Sequence, residues 1–287
     1  MIDPVVFRIG PLAVHWYGVL IVAGALAAGF VVANQAKMRK MNPEEAWEVL
    51  TFCLILGIIG ARIYHVLTIP PSSSGYLSTY YYLTHPERLI ISWEGTLGVQ
   101  GLGIYGGVAG GVLAIYLYAR YRKEGFLTWL DMAGVGLPLA QAIGRWGNFI
   151  NQELYGGPTD LPWGIPIHPE NPSLRVPPYN DPILYPPETR FHPTFLYESI
   201  WNFLLFLFLL FLSRRYRERL LPGEIFAIYL SLYSLGRFLN EFIRLDSPFL
   251  GSINVAQGVA VACILCSAGL VAYRRWRRRL SAPGEAQ

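Results

Sequence analysis

The chain has 287 residues, of which 53% are hydrophobic and 15% charged, and its mean hydropathy is +0.35. Soluble domains carry about 25% charged residues, so the composition excludes an ordinary aqueous globule and indicates an integral membrane protein. The formal charge of +4 reflects basic loops between apolar segments and gives no case for nucleic-acid binding.

Seven apolar stretches, at about 12–34, 47–67, 98–119, 126–146, 193–213, 222–243 and 251–273, approach the ~20 residues that a spanning helix needs. Runs such as FLLFLFLLFL lack the apolar–polar alternation of a barrel strand, so the expected fold class is all-α, with seven transmembrane helices and an outward-facing irregular head segment. No basic region precedes the first stretch, and the cluster KMRK at 37–40 follows it, which reads as a retained span. Fifteen of the 23 Lys and Arg follow spans one, three, five and seven, a single side if there are seven spans. That side is expected to be cytoplasmic, with the N-terminus outside.

The chain thus reads as spans one to four over 1–146, with an outer arm at about 68–97, a motif and head over 147–192, and spans five to seven over 193–287 with a basic tail. The arm carries tyrosines and a tryptophan suited to the bilayer interface. Prolines in 156–192 predict an irregular but ordered cap. Three cysteines make no disulfide framework, and Cys53, Cys263 and Cys266 are expected in apolar packing.

Ionisable groups inside apolar helices cost ~2.5–3.5 kcal/mol each on insertion scales, and here they gather near the predicted outer ends. Arg62 lies near the end of span two, Arg145 terminates span four, Glu198 opens span five, and Arg237 and Glu241 occupy the outer third of span six. Tyr233, Arg237 and Glu241 stand at i, i+4 and i+8, as do Thr194, Glu198 and Asn202, so each set lies on one helical stripe. Arg145, Asn148, Asn151 and Glu153 add more polar groups than a helix cap requires. The stripes predict a polar chamber open toward the outer leaflet. Plainer readings stand beside it: Arg62 as a snorkelling side chain and Arg237–Glu241 as a structural ion pair. Gly103, Gly107 and Gly111 recur every four residues in span three, which predicts close helix packing or exposed amides near Tyr105.

Guanidinium forks bind phosphate, and lipid phosphates lie at the depth of these helix ends, so a lipid headgroup is the natural ligand. There is no GxSxG, no HExxH and no cluster of His or Cys for zinc. Among five scattered histidines, only His15 and His192 adjoin polar segments. An enzyme acting on the lipid, a lipid or anion transporter, and a scaffold that binds anionic lipid all fit such a chamber.

The segment GRWGNFINQELYG, residues 144–156, resembles the signature of the prolipoprotein diacylglyceryl transferase family, with Gly144, Arg145, Gly147, Asn148, Phe149, Asn151, Glu153 and Gly156 at its fixed positions. FRIGPLAVHWYG is similar to the family's first helix, with Tyr17 at its essential tyrosine. GARIYHVL, HPTFLYE and YSLGRFLNEFIR resemble its second, fifth and sixth. The resemblance implies transfer of the sn-1,2-diacylglyceryl group of phosphatidylglycerol to the lipobox cysteine of a preprolipoprotein signal peptide, the first step of bacterial lipoprotein maturation. It implies a multi-pass protein of the bacterial cytoplasmic (inner) membrane, acting as a monomer among membrane lipids without cofactor or metal. Carried over by position, Arg145 and Arg237 contact the phosphate, Glu153 and Glu241 orient arginines, Asn148 and Asn151 bond headgroup oxygens beside Gly156, and Tyr17 positions the lipid. His192, Glu198, Tyr233 and Arg62 support the site. Some members have a histidine before the Gly-Gly of span three, where this chain has Tyr105. A phenol is a weak base at neutral pH unless arginines favour the phenolate. Tyr105 is therefore expected either as the base or as a hydrogen-bond donor, with Arg237 steadying the thiolate.

Overall fold

The computed structural model describes residues 3–10, 12–68, 79–85, 103–245, 249–250 and 253–280. Eight helices occur among them: α1 (Trp16–Met38), α2 (Glu45–Thr68), α3 (Thr79–Thr84), α4 (Ile104–Arg122), α5 (Phe126–Asn151), α6 (Thr194–Arg215), α7 (Glu224–Asn240) and α8 (Val255–Leu280). All but α3 fall on the predicted spans. Five of them, α1, α2, α5, α6 and α8, are long and apolar enough to cross a membrane. The protein is a mostly helical membrane protein.

Three short antiparallel ladders, which the reading as all-α did not anticipate, accompany the helices: β1 (Val5–Ile9) with β2 (Leu12–His15), β3 (Ile165–Pro166) with β4 (Arg190–Phe191), and β5 (Phe249–Leu250) with β6 (Ile253–Asn254). The first ladder corrects the start of span one. Gly10 takes φ +57°, a left-handed conformation that turns the chain, so residues expected to open the helix pair as a hairpin and α1 begins at Trp16. Most of the arm at 68–97 and the start of span three lie outside the described residues, apart from α3 and its neighbours.

The chain divides into two compact units. One comprises Val5–His15 and Gly29–Leu130. Within it α2 and α4 pack with almost no side chain between them: a Cβ on Gly106 would overlap the Gly60 carbonyl oxygen, and one on Gly110 that of Leu56. Gly103 lies under the Tyr64 ring, whereas Gly111 has nothing within 4 Å. The close face is therefore Gly103, Gly106 and Gly110 instead of the predicted four-residue repeat, because a contact stripe on a helix of 3.6 residues per turn mixes three- and four-residue steps. Beyond the glycines, Arg122 pairs with Glu45, Tyr118 donates to Glu48 Oε2 at 2.6 Å and Trp129 Nε1 donates to Glu124 Oε2 at 2.6 Å. Cys53 Sγ donates to the Gly111 carbonyl at 3.6 Å.

The other unit comprises Met1–Pro4, Trp16–Ala28 and Asp131–Gln287. Buried Asp131 on α5 accepts the amides of Gly223 at 2.7 Å and Phe226 at 2.9 Å, capping α7 from a neighbouring helix. Glu224 takes a two-pronged contact from Arg275 of α8 at 2.6 and 2.8 Å. Ser199 of α6 donates to the Ala142 carbonyl at 2.9 Å, and Trp201 Nε1 to that of Leu232 at 3.0 Å. On α8, Cys263 is half-buried and Cys266 exposed, a correction to the expected burial: α8 is covered on few sides, with Ala260 and Ser267 its buried residues.

Between α5 and α6 the segment 152–193 folds over a small core of Tyr155, Ile167 and Phe191. Arg175, buried beside it, donates through Nε to the Ile167 carbonyl at 2.7 Å and through its Nη atoms to Tyr185, Pro186 and Pro187 carbonyls at 2.7, 3.2 and 3.1 Å. One guanidinium thus satisfies the carbonyls of a proline-rich run that has few amides to offer them. The segment is mostly irregular, as its prolines predict.

Two tests follow from this packing. Gly106→Leu or Gly110→Leu should lower stability by about 1–3 kcal/mol or more, the cost of overpacking, while Gly111→Ala, which meets open space, leaves the thermal midpoint in detergent unchanged. In the head, burial and then the neighbouring Arg175 hold the His168 imidazole below its ordinary range. Its neutral form is the folded form, so its contribution is present above the unfolded pKa of about 6.5 and is lost as pH falls below it. Amide protection factors across 156–192, corrected for intrinsic exchange, should fall as pH drops below about 6.5, and His168→Asn should remove that change.

Candidate active site

Helix α5 runs six residues past Arg145, which was expected to terminate it. The motif GRWGNFIN therefore forms its last two turns, and positive φ at Gln152 and Leu154 ends it. Arg145 and Asn148 share a face there, with Arg145 Nη1 donating to Asn148 Oδ1 at 3.3 Å. The C-terminal turns of α5 and α7 meet the N-terminal turns of α6. Carbonyl-rich helix ends favour the guanidiniums of Arg145 and Arg237, and the amide-rich start of α6 favours the carboxylate of Glu198.

Glu198, 7% exposed, is the centre of the site. Its Oε2 pairs with Arg145, its Oε1 with Arg237 Nη1 at 2.8 Å, and Asn240 also donates to Oε1. Arg237 extends the chain through Nη2 to Glu241 Oε2 at 2.6 Å, and Asn254 Nδ2 reaches Glu241 Oε1 at 3.5 Å. On the other side, Asn148 and Asn151 donate to Glu153 Oε1 at 2.8 and 3.3 Å. The result is one polar network from Asn151 to Asn254. Each guanidinium has five N–H donors, and Glu198 engages a single nitrogen of each.

A pocket of about 160 Å³ opens against this network, lined on its polar wall by Glu198, Asn202, Arg237 and Asn240 and on the other by Tyr197, Trp201, Tyr233, Leu239 and Ile243. Gly236 completes it, and a Cβ there would overlap the Trp201 indole. Tyr233 stacks on Tyr229, ring centroids 5.8 Å apart.

Glu241 pairs with Arg237. Glu153 accepts from two asparagine amides, and Glu198 pairs with both arginines. Gly156 is a glycine for room: a Cβ would stand 2.6 Å from Ile243 Cγ2 and 2.9 Å from His192 Cβ. Tyr17 lies flat against Gly147, where a Cβ would overlap its ring, and this seats the start of α1 on the signature turns. His192 faces Tyr197, its Nδ1 3.1 Å from the hydroxyl. Tyr105 and Arg62 belong to the other unit, where Tyr105 is 56% exposed beside Tyr64 and the Arg62 guanidinium lies 4.9 Å over the Tyr82 ring.

Asn240, Asn254, Tyr197 and Trp201 are the members that sequence reasoning missed. Asn240 stood one helical step from Arg237 in GRFLNEF, and Asn254 precedes an apolar run as a cap residue does; its Oδ1 accepts the amides of Ala256 and Gln257 at 3.0 and 3.2 Å. Nothing in sequence marked the two aromatics as pocket walls.

The family model for prolipoprotein diacylglyceryl transferase matches residues 4–273. Among similar proteins, the phosphatidylglycerol–prolipoprotein diacylglyceryl transferase of Chloroflexus aggregans is 41% identical over 93% of this chain and 87% of its own. That of Symbiobacterium thermophilum is 41% identical over 99% and 97%, and that of Thermotoga petrophila 42% over 91% and 80%. With a signature helix end, a carboxylate-bridged arginine pair and similarity along nearly its whole length, the chain belongs to the prolipoprotein diacylglyceryl transferase family.

Proposed function

We propose that this protein transfers the sn-1,2-diacylglyceryl group of phosphatidylglycerol to the lipobox cysteine of preprolipoproteins. The sulfur forms a thioether to the terminal glyceryl carbon, the bond from that carbon to the phosphate oxygen breaks, and glycerol 1-phosphate leaves. The observation that carries this reading is the pair of guanidiniums held on one buried carboxylate beside a pocket.

As the carbon–oxygen bond breaks, the phosphate gains a second negative charge. Two guanidiniums already spaced by Glu198 stabilise that charge without reorganising, and the surrounding apolar helices strengthen the interaction. Arg145 and Arg237 take the phosphate oxygens, Asn148 and Asn151 the glycerol hydroxyls, and Glu241 fixes the Arg237 fork. Tyr17 positions the lipid against the last turns of α5. Tyr233 borders the chamber, and Tyr105 donates a hydrogen bond to the lipid, with Arg62 at the interface. Helices α4 and α7 complete seven spans in the bacterial cytoplasmic membrane, with the N-terminus outside, the C-terminus cytoplasmic and the segment after α5 as an outer head. The working form is a monomer.

Purified protein incubated with phosphatidylglycerol and a lipobox peptide should give a diacylglyceryl mass gain that disappears with a Cys→Ser peptide or with Arg145→Ala; a lipid translocated unchanged, with no mass gain, overturns the assignment. Arg237→Lys keeps the charge but not the fork, and Glu198→Gln leaves both arginines without their shared counterion. Each should lower kcat/KM by about 10²-fold or more, comparable to losing one oxyanion donor.

A further inference from the structure

The lipobox thiol must lose its proton before sulfur attacks, and the groups lining the pocket differ in their capacity to receive it. Arg237 has no acceptor. Glu198 directs its oxygens to Arg145, Arg237 and Asn240. Tyr197, which also lines the pocket, differs, because its hydroxyl touches both Trp163 Nε1, at 2.9 Å, and His192 Nδ1, at 3.1 Å.

An indole N–H can only donate, so one Tyr197 lone pair is occupied by Trp163. An Nδ1 that accepts takes the hydroxyl proton, and the second Tyr197 lone pair is left for a further donor. The backbone holds this alignment. His192 O accepts from Gly156 N at 2.9 Å and His192 N donates to Gly157 O at 3.0 Å, an approach that the missing side chain of Gly156 permits. The last glycine of the signature thus fixes the histidine. Charged and titratable groups near the pair are Glu198, Tyr233 and Arg237, which line the same pocket as Tyr197, Arg190 two residues before His192 on β4, and Arg244, which bridges Gly156.

We infer, resting on the transfer reading above, that Tyr197 and His192 form a proton relay for the lipobox thiol. The S–H proton moves to the Tyr197 oxygen while the Tyr197 proton moves to His192 Nδ1. The sulfur lone pair forms the bond to the glyceryl carbon, and the carbon–oxygen bond pair departs with the phosphate. The imidazolium then returns its proton to the released phosphate or to water, so no other acceptor is required. Tyr197 touches the reacting sulfur; His192 and Trp163 position it and set its polarity.

The test is the pH dependence of kcat and KM in phosphatidylglycerol nanodiscs with a lipobox peptide, for the wild type, Tyr197→Phe and His192→Asn. Asparagine keeps a polar atom near Nδ1 but binds no proton. The wild type should lose kcat/KM on the acid side as an imidazole protonates. Both variants should lose about 10²-fold in kcat, the lower range for general acid–base catalysis, with KM for lipid unchanged and the acidic limb abolished. The double variant should be no slower than either single one. A variant that keeps both the wild-type kcat and the acidic limb overturns the relay. If Tyr197→Phe does not fold, His192→Asn alone decides by the same two readings. Absence of thioether with the wild type would instead overturn the transfer reading, so the two failures are distinguishable.

Discussion

The site depends on one carboxylate. Glu198 lies in the first turns of an apolar helix and is shared by two guanidiniums from two other helices. None of these groups is favourable alone when buried: an unpaired arginine is costly, and so is an unpaired carboxylate. Together they offset one another, and the requirement that they meet fixes how the ends of α5, α6 and α7 are brought together. Of the two guanidiniums, that of Arg237 lines the pocket, and Arg145 stands behind it on the same carboxylate.

The rest of that unit keeps the three ends in register. Asp131 and Glu224 secure the opposite end of α7, through backbone amides and through Arg275. With both ends of a 17-residue helix anchored, Arg237 has little freedom to drift. The head closes the connection from α5 to α6 around Arg175, whose guanidinium serves main-chain carbonyls, whereas the arginine pair of the site is held by a carboxylate. The same residue type therefore has two roles, distinguished by whether carbonyls or carboxylates surround it.

In the other unit, direct backbone contact replaces polar anchoring. Gly60, Gly106 and Gly110 let α2 and α4 touch main chain to main chain, which in a bilayer substitutes for the hydrophobic drive absent between lipid-solvated helices. Arg122 with Glu45, and Tyr118 with Glu48, then join the other end of this helix pair.

The sequence by itself determined the helical membrane class, the positions of the seven long helices and several, though not all, of the polar residues in the network around Glu198. Local rules govern these: length and apolarity define a spanning helix, and the cost of burying a charge marks each intramembrane arginine and glutamate wherever it falls. It also marked the stripes of Tyr233, Arg237 and Glu241 and of Thr194, Glu198 and Asn202, since helical periodicity needs no partner. Only the tertiary structure decided which carboxylate each arginine takes. Spacing along α7 places Glu241 beside Arg237, but Glu198 lies 39 residues from Arg237 in sequence and 53 from Arg145, and their meeting depends on how separate helices cross. For the same reason the contact face of α4 shifted to Gly106 and Gly110, and Tyr197, Trp163 and His192 came together from the head and α6: such contacts are set by packing between elements, which no single segment encodes.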